Sequence, residues 1–324
     1  MQTMNQARTL TVALVLTAAV AAANAAPYPT KPVTIVMPYQ AGGSGDVIAR
    51  PLAEKLGRMW GQPVIVDNRP GANGVIATEF AAKAPADGYT LLYHITGIIQ
   101  NPSLYKNVRY DPFKDFDPLM QIGGQAMGVS VPANSPYKTV DQLLQSAVGK
   151  SGGLTYGSIG FGMTGQIYSE LLTKGRSMPA THVPYKGQPA MVVDLVADRM
   201  DMALLSAAEA SLRAKSNAVR VLAVTGTERV AQMPDVPTLK ELGYKGFEMV
   251  GWHGLFAPAG TPADVEAKIT ADVATVLKDP EIVKLLADQA INVTANGPKE
   301  FSKIMRNDYE QWGALIRKFD IRID

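Results

Sequence analysis

Val33-Thr34-Ile35-Val36-Met37-Pro38-Tyr39-Gln40-Ala41-Gly42-Gly43-Ser44-Gly45-Asp46 is the stretch that decides the fold. Its first five residues are a β-branched, apolar run and read as a strand. Pro38 to Gly45 is a glycine-rich loop. Asp46 reads as a helix N-cap, and after it Val47, Ile48, Leu52, Leu56 and Met59 recur at helical spacing until Gly61 stops the run. The same order then returns. Val64-Ile65-Val66 is a strand, Asn68 to Gly74 a loop, Val75 to Ala84 a helix and Thr90 to Tyr93 a third strand. Strands alternating with helices at this spacing predict βαβ units on a parallel sheet.

Further along, Val129-Ser130-Val131 reads as a strand before a helix capped near Thr139. Thr155 to Ser158 ends another strand, Ile159 to Gly165 is a second glycine-rich loop, and Gln166 to Thr173 is the helix after it. Met200 to Leu204, Val219 to Val224 and Gly254 to Ala257 read as later strands, and Val265 to Leu277 and Pro298 to Phe319 as helices. Val131-Pro132-Ala133-Asn134-Ser135-Pro136 resembles Ala257-Pro258-Ala259-Gly260-Thr261-Pro262, and a helix follows each. This symmetry predicts an α/β fold of two Rossmann-like lobes joined by two crossover strands, near residues 123–130 and 251–257. Lobe one would hold residues 26–126, with 254–324 packing back on it, and lobe two residues 127–253.

The bulk composition agrees. A chain of 324 residues suits two domains of about 100–150 residues each. Hydrophobic residues make up 47% and charged residues 19%, which supports a sizeable core and argues against disorder. A net charge of +2 with no lysine or arginine run excludes a strongly basic nucleic-acid binder. With no cysteine there can be no disulfide and no thiolate metal site. Arg8, the apolar run Leu10 to Ala23 and the Ala23-Asn24-Ala25 site match a secretory signal peptide over residues 1–25. The run is short for a hydrocarbon layer of ~30 Å. The expectation is export to the periplasm, with no lipid anchor because no cysteine precedes Ala26.

Both glycine loops follow a strand and open a helix. Ligands of open α/β sheets bind at the carboxyl ends of the strands. A helix N-terminus there offers free N–H groups and about half a positive charge. Such a site holds an anion without lysine or arginine. One loop on each lobe, closing on opposite sides of a carboxylate, would form an anion trap. The other reading is that both are tight strand–helix turns. No G-x-x-x-x-G-K-[ST] occurs, so a Walker loop is excluded. Gly160-Phe161-Gly162-Met163-Thr164-Gly165 has the G-x-G-x-x-G spacing, but no acidic ribose partner stands out, so a dinucleotide fold is unsupported.

Enzyme signals are thin. His94, His182 and His253 show no metal-ligand spacing, and no H-E-x-x-H or G-x-S-x-G occurs. Each histidine reads as structural or pocket-lining. Ser158 and Ser44 are the candidate nucleophiles of a competing reading, an exported serine hydrolase. Trp252 reads equally as core or as pocket wall. No cofactor and no metal are expected.

Several blocks in order then resemble one family. They are Lys31 to Asp46, Asp67-Asn68-Arg69-Pro70-Gly71-Ala72-Asn73-Gly74, Asp87-Gly88-Tyr89-Thr90-Leu91-Leu92, Asn101-Pro102-Ser103-Leu104-Tyr105, His182 to Gly187, Leu222-Ala223-Val224-Thr225 and Trp252 to Pro262. The chain resembles the Bug/TctC family, the periplasmic solute-binding proteins of tripartite tricarboxylate transporters. The resemblance implies a two-lobed, type II-like periplasmic binding protein, a monomer that is not an enzyme. It would carry a small carboxylate to integral-membrane transporter subunits; a related use of the fold is a sensor presenting the ligand to a signalling receptor. It implies ligand contacts from Tyr39, Ala41, Gly42, Gly43, Ser44 and Asp46, from Gly160, Gly162, Met163 and Thr164, and from Thr96 in a third loop. Tyr39 stands where the family more often has phenylalanine, and Leu205-Ser206 where many relatives have Asp-Asn. The second departure implies a carboxylate without an amino group, contacted by Leu205 and Ser206.

Overall fold

The computed structural model describes residues 28–323; the signal-peptide reading, over residues 1–25, lies outside them. The chain runs through β1 (Val33–Met37), α1 (Ser44–Trp60), β2 (Val64–Asn68), α2 (Val75–Ala82), β3 (Thr90–Ile95), α3 (Gly97–Leu104) and β4 (Phe116–Gln125). Next come β5 (Met127–Pro132), α4 (Val140–Gln145), β6 (Leu154–Ser158), α5 (Thr164–Leu172), β7 (Ala180–Pro184), α6 (Gln188–Val196), β8 (Met202–Ser206), α7 (Ala207–Lys215) and β9 (Val219–Val224). The chain closes with β10 (Gly251–Pro258), α8 (Ala263–Val276), α9 (Pro280–Asp288), β11 (Ile291–Asn296) and α10 (Pro298–Lys318).

Two sheets form, in the orders β11-β4-β10-β3-β1-β2 and β7-β6-β8-β5-β9. Each contains the expected parallel core, β2-β1-β3 in one and β7-β6-β8 in the other. Neither sheet is wholly parallel, which corrects the expectation from the βαβ pattern. β10 runs antiparallel to β3 and β4, and β5 runs antiparallel to β8 and β9. The reason is topological. β4 leaves the first sheet at the carboxyl end of its parallel strands and continues as β5 through Ala126 alone. A strand arriving from across that end must enter the next sheet head first, against the parallel strands. β10 makes the same entry on the way back. Trp252 and His253, placed in lobe two by sequence, pair within the six-stranded sheet.

Three strands were not foreseen: β4, β7 and β11. β4 holds Pro118 and the pair Gly123-Gly124, residues that read as turn formers. Pro118 is tolerated because the register slips there, between Leu255 and Phe256 of the partner strand. β7 is a half-exposed edge with a weak apolar pattern.

The C-terminal helix α10 joins the two layers. Its Phe301 ring meets Trp252 edge-on, with centroids 5.0 Å apart, and its Trp312 lies 4.8 Å from Tyr168 of α5. Trp252, Phe301 and Trp312 are fully buried, so Trp252 belongs to the core. Burying a ring such as Phe301 contributes about 1.5–3 kcal/mol. The Trp252 indole donates to Asp308 at 3.0 Å. Burial raises the Asp308 carboxyl to about 6 although that indole bond pulls it down.

Candidate ligand cleft

α1 begins at Ser44, with Gly43 as its N-cap. Asp46 is therefore the third helical residue and not the cap. From there its carboxylate reaches back, and Oδ2 accepts the Gly42 amide at 2.9 Å and the Arg50 Nε at 2.8 Å. Oδ1 accepts Asn68 Nδ2 at 3.0 Å, and the same Nδ2 donates to the Tyr39 carbonyl at 2.9 Å. Burial by itself would raise the Asp46 carboxyl; the bonds from Arg50, Gly42 and Asn68 and the Arg50 charge hold it below the ordinary range. Both oxygens are engaged inside the loop, so Asp46 shapes it. Ala41, Gly42 and Gly43 stay exposed. Gly42 needs its freedom, since its φ is +81°.

The second loop repeats this with different chemistry. Met163 is the N-cap of α5, and Gln166 is the third helical residue. Gln166 Oε1 accepts the Gly162 amide at 2.6 Å. Gly160 and Gly162 have φ of +143° and +74°. A Cβ added to Gly162 would lie 2.7 Å from Leu104 Cδ1 and 3.1 Å from Ile323 Cδ1, both outside this loop's own sheet.

The loops of the two sheets touch. Asn73 Nδ2 donates to the Phe161 carbonyl at 2.8 Å, and Gln100 Nε2 to Thr164 Oγ1 at 3.2 Å. Asn73 belongs to a turn in which Gly71, Ala72, Asn73 and Gly74 all have positive φ. Asparagine tolerates that region better than most residues. The first glycine loop lies against this turn: a Cβ on Gly74 would meet Pro38 Cβ at 3.0 Å. Asn73, Gln100 and Gln166 were not singled out as site residues from the sequence. Only the left-handed tendency of Asn73-Gly74 offered a signal.

Other sequence-named residues are placed as follows. Thr96 is 2% exposed, and its hydroxyl accepts the Trp252 amide at 2.9 Å. Leu205 is fully buried among Met191, Leu195, Met200 and Ala210. β8 turns Leu204 to one face and Leu205 to the other, so Leu205 has no surface in the cleft. The argument from Leu205 against an amino group loses its basis. Ser206 ends β8 and caps α7, with its hydroxyl 3.5 Å from the Glu209 amide and 3.4 Å from Gln188 Nε2.

Tertiary folding does bring a serine to a histidine. Ser158 Oγ lies 2.7 Å from His182 Nε2 and 2.8 Å from the Gly160 carbonyl. A nucleophile must be reachable, and its base must be oriented by a third group. Ser158 is 1% exposed, and His182 Nδ1 has no partner among the described residues. Burial lowers the His182 pKa to about 4, against the pull of Glu170. The pair ties the end of β6 to its loop and to β7.

Both glycine loops thus lie at the carboxyl ends of the parallel cores and lead into the N-termini of α1 and α5, an arrangement suited to an anion. Among the described residues no group of three metal-ligating side chains occurs.

Comparison with known proteins gives the same architecture. A family model described as "Tripartite tricarboxylate transporter family receptor" matches residues 48–321. A UPF0065 protein from the tcbD-tcbE intergenic region of Pseudomonas sp. is 35% identical over 293 residues, covering 90% of this chain and 87% of that one. The structure of the periplasmic binding protein BugD superposes with a TM-score of 0.81 at 30% identity, over 91% of this chain and all (100%) of that one. An R. palustris protein solved with adipate gives a TM-score of 0.83 at 30% identity, over 91% and 100% of the two chains.

Proposed function

Because the chain belongs to the tripartite tricarboxylate transporter receptor family, we propose that it captures a small carboxylate between its two sheets and passes it to membrane-embedded transporter subunits. The observation that carries this reading is the meeting of the two glycine loops' surroundings through Asn73 and Gln100. A carboxylate in that cleft is held by amides of α1 and α5. Gly43, Gly160, Met163 and Thr164 present backbone and Ser206 a side-chain hydroxyl, while the Tyr39 hydroxyl is buried and the Gly42 amide is held by Asp46. Closure of the loops excludes water, and hydrogen bonds to an anion strengthen when water leaves. The adipate complex of a relative supports the ligand class. The lobes in this reading are residues 28–125 with 251–323, and 127–250, hinged at Ala126 and before Gly251. Export to the periplasm follows from the same reading, with residues 1–25 removed.

Calorimetric titration with adipate, succinate and benzoate, each beside its uncharged amide, tests it. The acids bind and the amides do not. Amides binding as tightly as acids, or no acid binding at all, overturns the reading. Delivery is tested separately: transport by membranes carrying the partner subunits rises when the loaded protein is added.

A further inference from the structure

The contact between Ser158 and His182 at the end of β6 allows one arrangement of hydrogens. Ser158 Oγ lies 2.8 Å from the Gly160 carbonyl and 2.7 Å from His182 Nε2, and it has a single hydrogen to give. A carbonyl only accepts, so that hydrogen goes to Gly160. His182 Nε2 then carries a hydrogen and donates to Ser158, which also accepts the Gly160 amide at 3.4 Å. His182 Nδ1, buried without a partner among the described residues, is left bare. The opposite tautomer would strand an N–H in that buried space and set oxygen lone pairs of Ser158 and Gly160 against each other. Burial lowers the His182 pKa to about 4, so the ring stays neutral at pH 7. Tyr156 stacks on the ring with centroids 5.1 Å apart, and Phe161 meets it edge-on at 5.1 Å, which fixes its plane.

The chain of bonds from His182 through Ser158 ends on the second glycine loop. Gly160 has a φ of +143°, which glycine enters freely and other residues rarely do. A trans peptide points its C=O and its N–H in opposite directions. Holding the Gly160 carbonyl on Ser158 therefore turns the Phe161 N–H away from β6. In the next peptide the Phe161 carbonyl accepts Asn73, and the Gly162 amide is taken by Gln166. Of these two peptides, the Phe161 N–H is the group without a partner among the described residues. Phe161 is 52% exposed. Asn73 of the other lobe stands beside this peptide, 3.9 Å through its Oδ1 from where a Cβ on Gly160 would lie.

We propose that Ser158 and His182 are positioning residues that fix the Gly160–Phe161 peptide, so that the Phe161 N–H faces the cleft and donates to the captured carboxylate. Neither side chain touches the ligand. Their work is done before binding: the peptide is already turned when the anion arrives, so less ordering is left to offset its hydrogen bond. This gives a use to a serine–histidine pair too buried for catalysis, with Ser158 1% exposed. The inference rests on the carboxylate-capture reading and adds how the second loop is held ready.

Two measurements on the wild-type protein come first and decide the matter even if a variant does not fold. Nitrogen NMR of the His182 ring should find Nε2 protonated and Nδ1 bare; a protonated Nδ1 overturns the proposal. The Phe161 amide signal should shift when the tightest-binding of adipate, succinate and benzoate is added; an unmoved signal overturns it too. Calorimetry with that acid then compares wild type with Ser158→Ala and His182→Phe, each shown by urea unfolding to be folded under the titration conditions. Affinity should fall about 3–10-fold in each, as one hydrogen bond predicts. The double variant should lose no more than the worse single one, because both residues act through one chain of bonds. A merely structural pair would lower unfolding stability and leave the affinity of the folded protein unchanged. That result, or losses that multiply in the double variant, removes the positioning role and leaves the capture reading standing. If the wild type binds none of the three acids, the capture reading falls and this role falls with it.

Discussion

The two helix-opening loops solve one geometric problem with different chemistry. In each, the third residue of the helix reaches back to the amide four positions earlier, Asp46 to Gly42 and Gln166 to Gly162. The first loop uses a charge and must neutralise it with Arg50; the second uses a neutral amide. A carboxylate at a helix N-terminus already takes up part of the helix dipole. α5 has no acidic residue in its first turn, whereas α1 shares its positive end with Asp46. The loops differ in packing too. Gly43 is exposed with φ of −75°, and Gly162 is buried with φ of +74° against Leu104. The first loop is built to be approached, the second to be held.

The largest effect should come from breaking the held loop. Gly162→Val combines a left-handed φ with a contact at 2.7 Å. It should lower unfolding stability by about 2–5 kcal/mol. Gly43→Val meets only the Gln40 carbonyl, at 3.4 Å, and should cost under about 1 kcal/mol while weakening ligand binding. Urea unfolding of both variants checks this; equal losses would erase the contrast between the loops.

Next is the charge. Asp46→Ala and Gln166→Ala should each cost about 1–3 kcal/mol at pH 7, because each strands a buried or half-buried donor. Their pH dependence separates them. The Asp46 carboxyl is depressed in the folded state, so its contribution is present above the unfolded value of about 3.9 and is lost as pH falls below it. The Asp46→Ala deficit therefore shrinks at pH 3, and the Gln166→Ala deficit does not. Unfolding curves at the two pH values would expose a mistake in either assignment.

The smallest effect sharpens where the loops meet. Asn73→Gly keeps the left-handed turn and removes the bond to Phe161. Affinity for the best-binding carboxylate should fall about 2–10-fold, as one neutral hydrogen bond predicts. Unchanged affinity would mean the contact has no part in closing the cleft.

Most of the parallel core was legible because period-two and helical patterns report local backbone preference. β1 and β9 coincide with their predicted spans, and Gly61 ends α1 in the left-handed conformation its position suggested. β4 was hidden by Pro118 and Gly123-Gly124, which form turns in most settings and here rest on a register slip. Within the site, the glycine loops were visible as loops. Asp46 was misread as a cap because a cap and a third-position carboxylate differ by only three residues in a run of small residues.

By itself, then, the amino-acid order determined the alternation of strands and helices, the position of both glycine loops and the family. Tertiary structure alone decided that β5 and β10 enter against their neighbours, that Leu205 faces a core, and that Ser158 lies beside His182. It also decided that Asn73 meets Phe161 across 88 residues of chain. Backbone preference acts over a few bonds and is written in neighbouring residues. Which side chains face each other depends on how distant segments pack, and no short window of sequence records that.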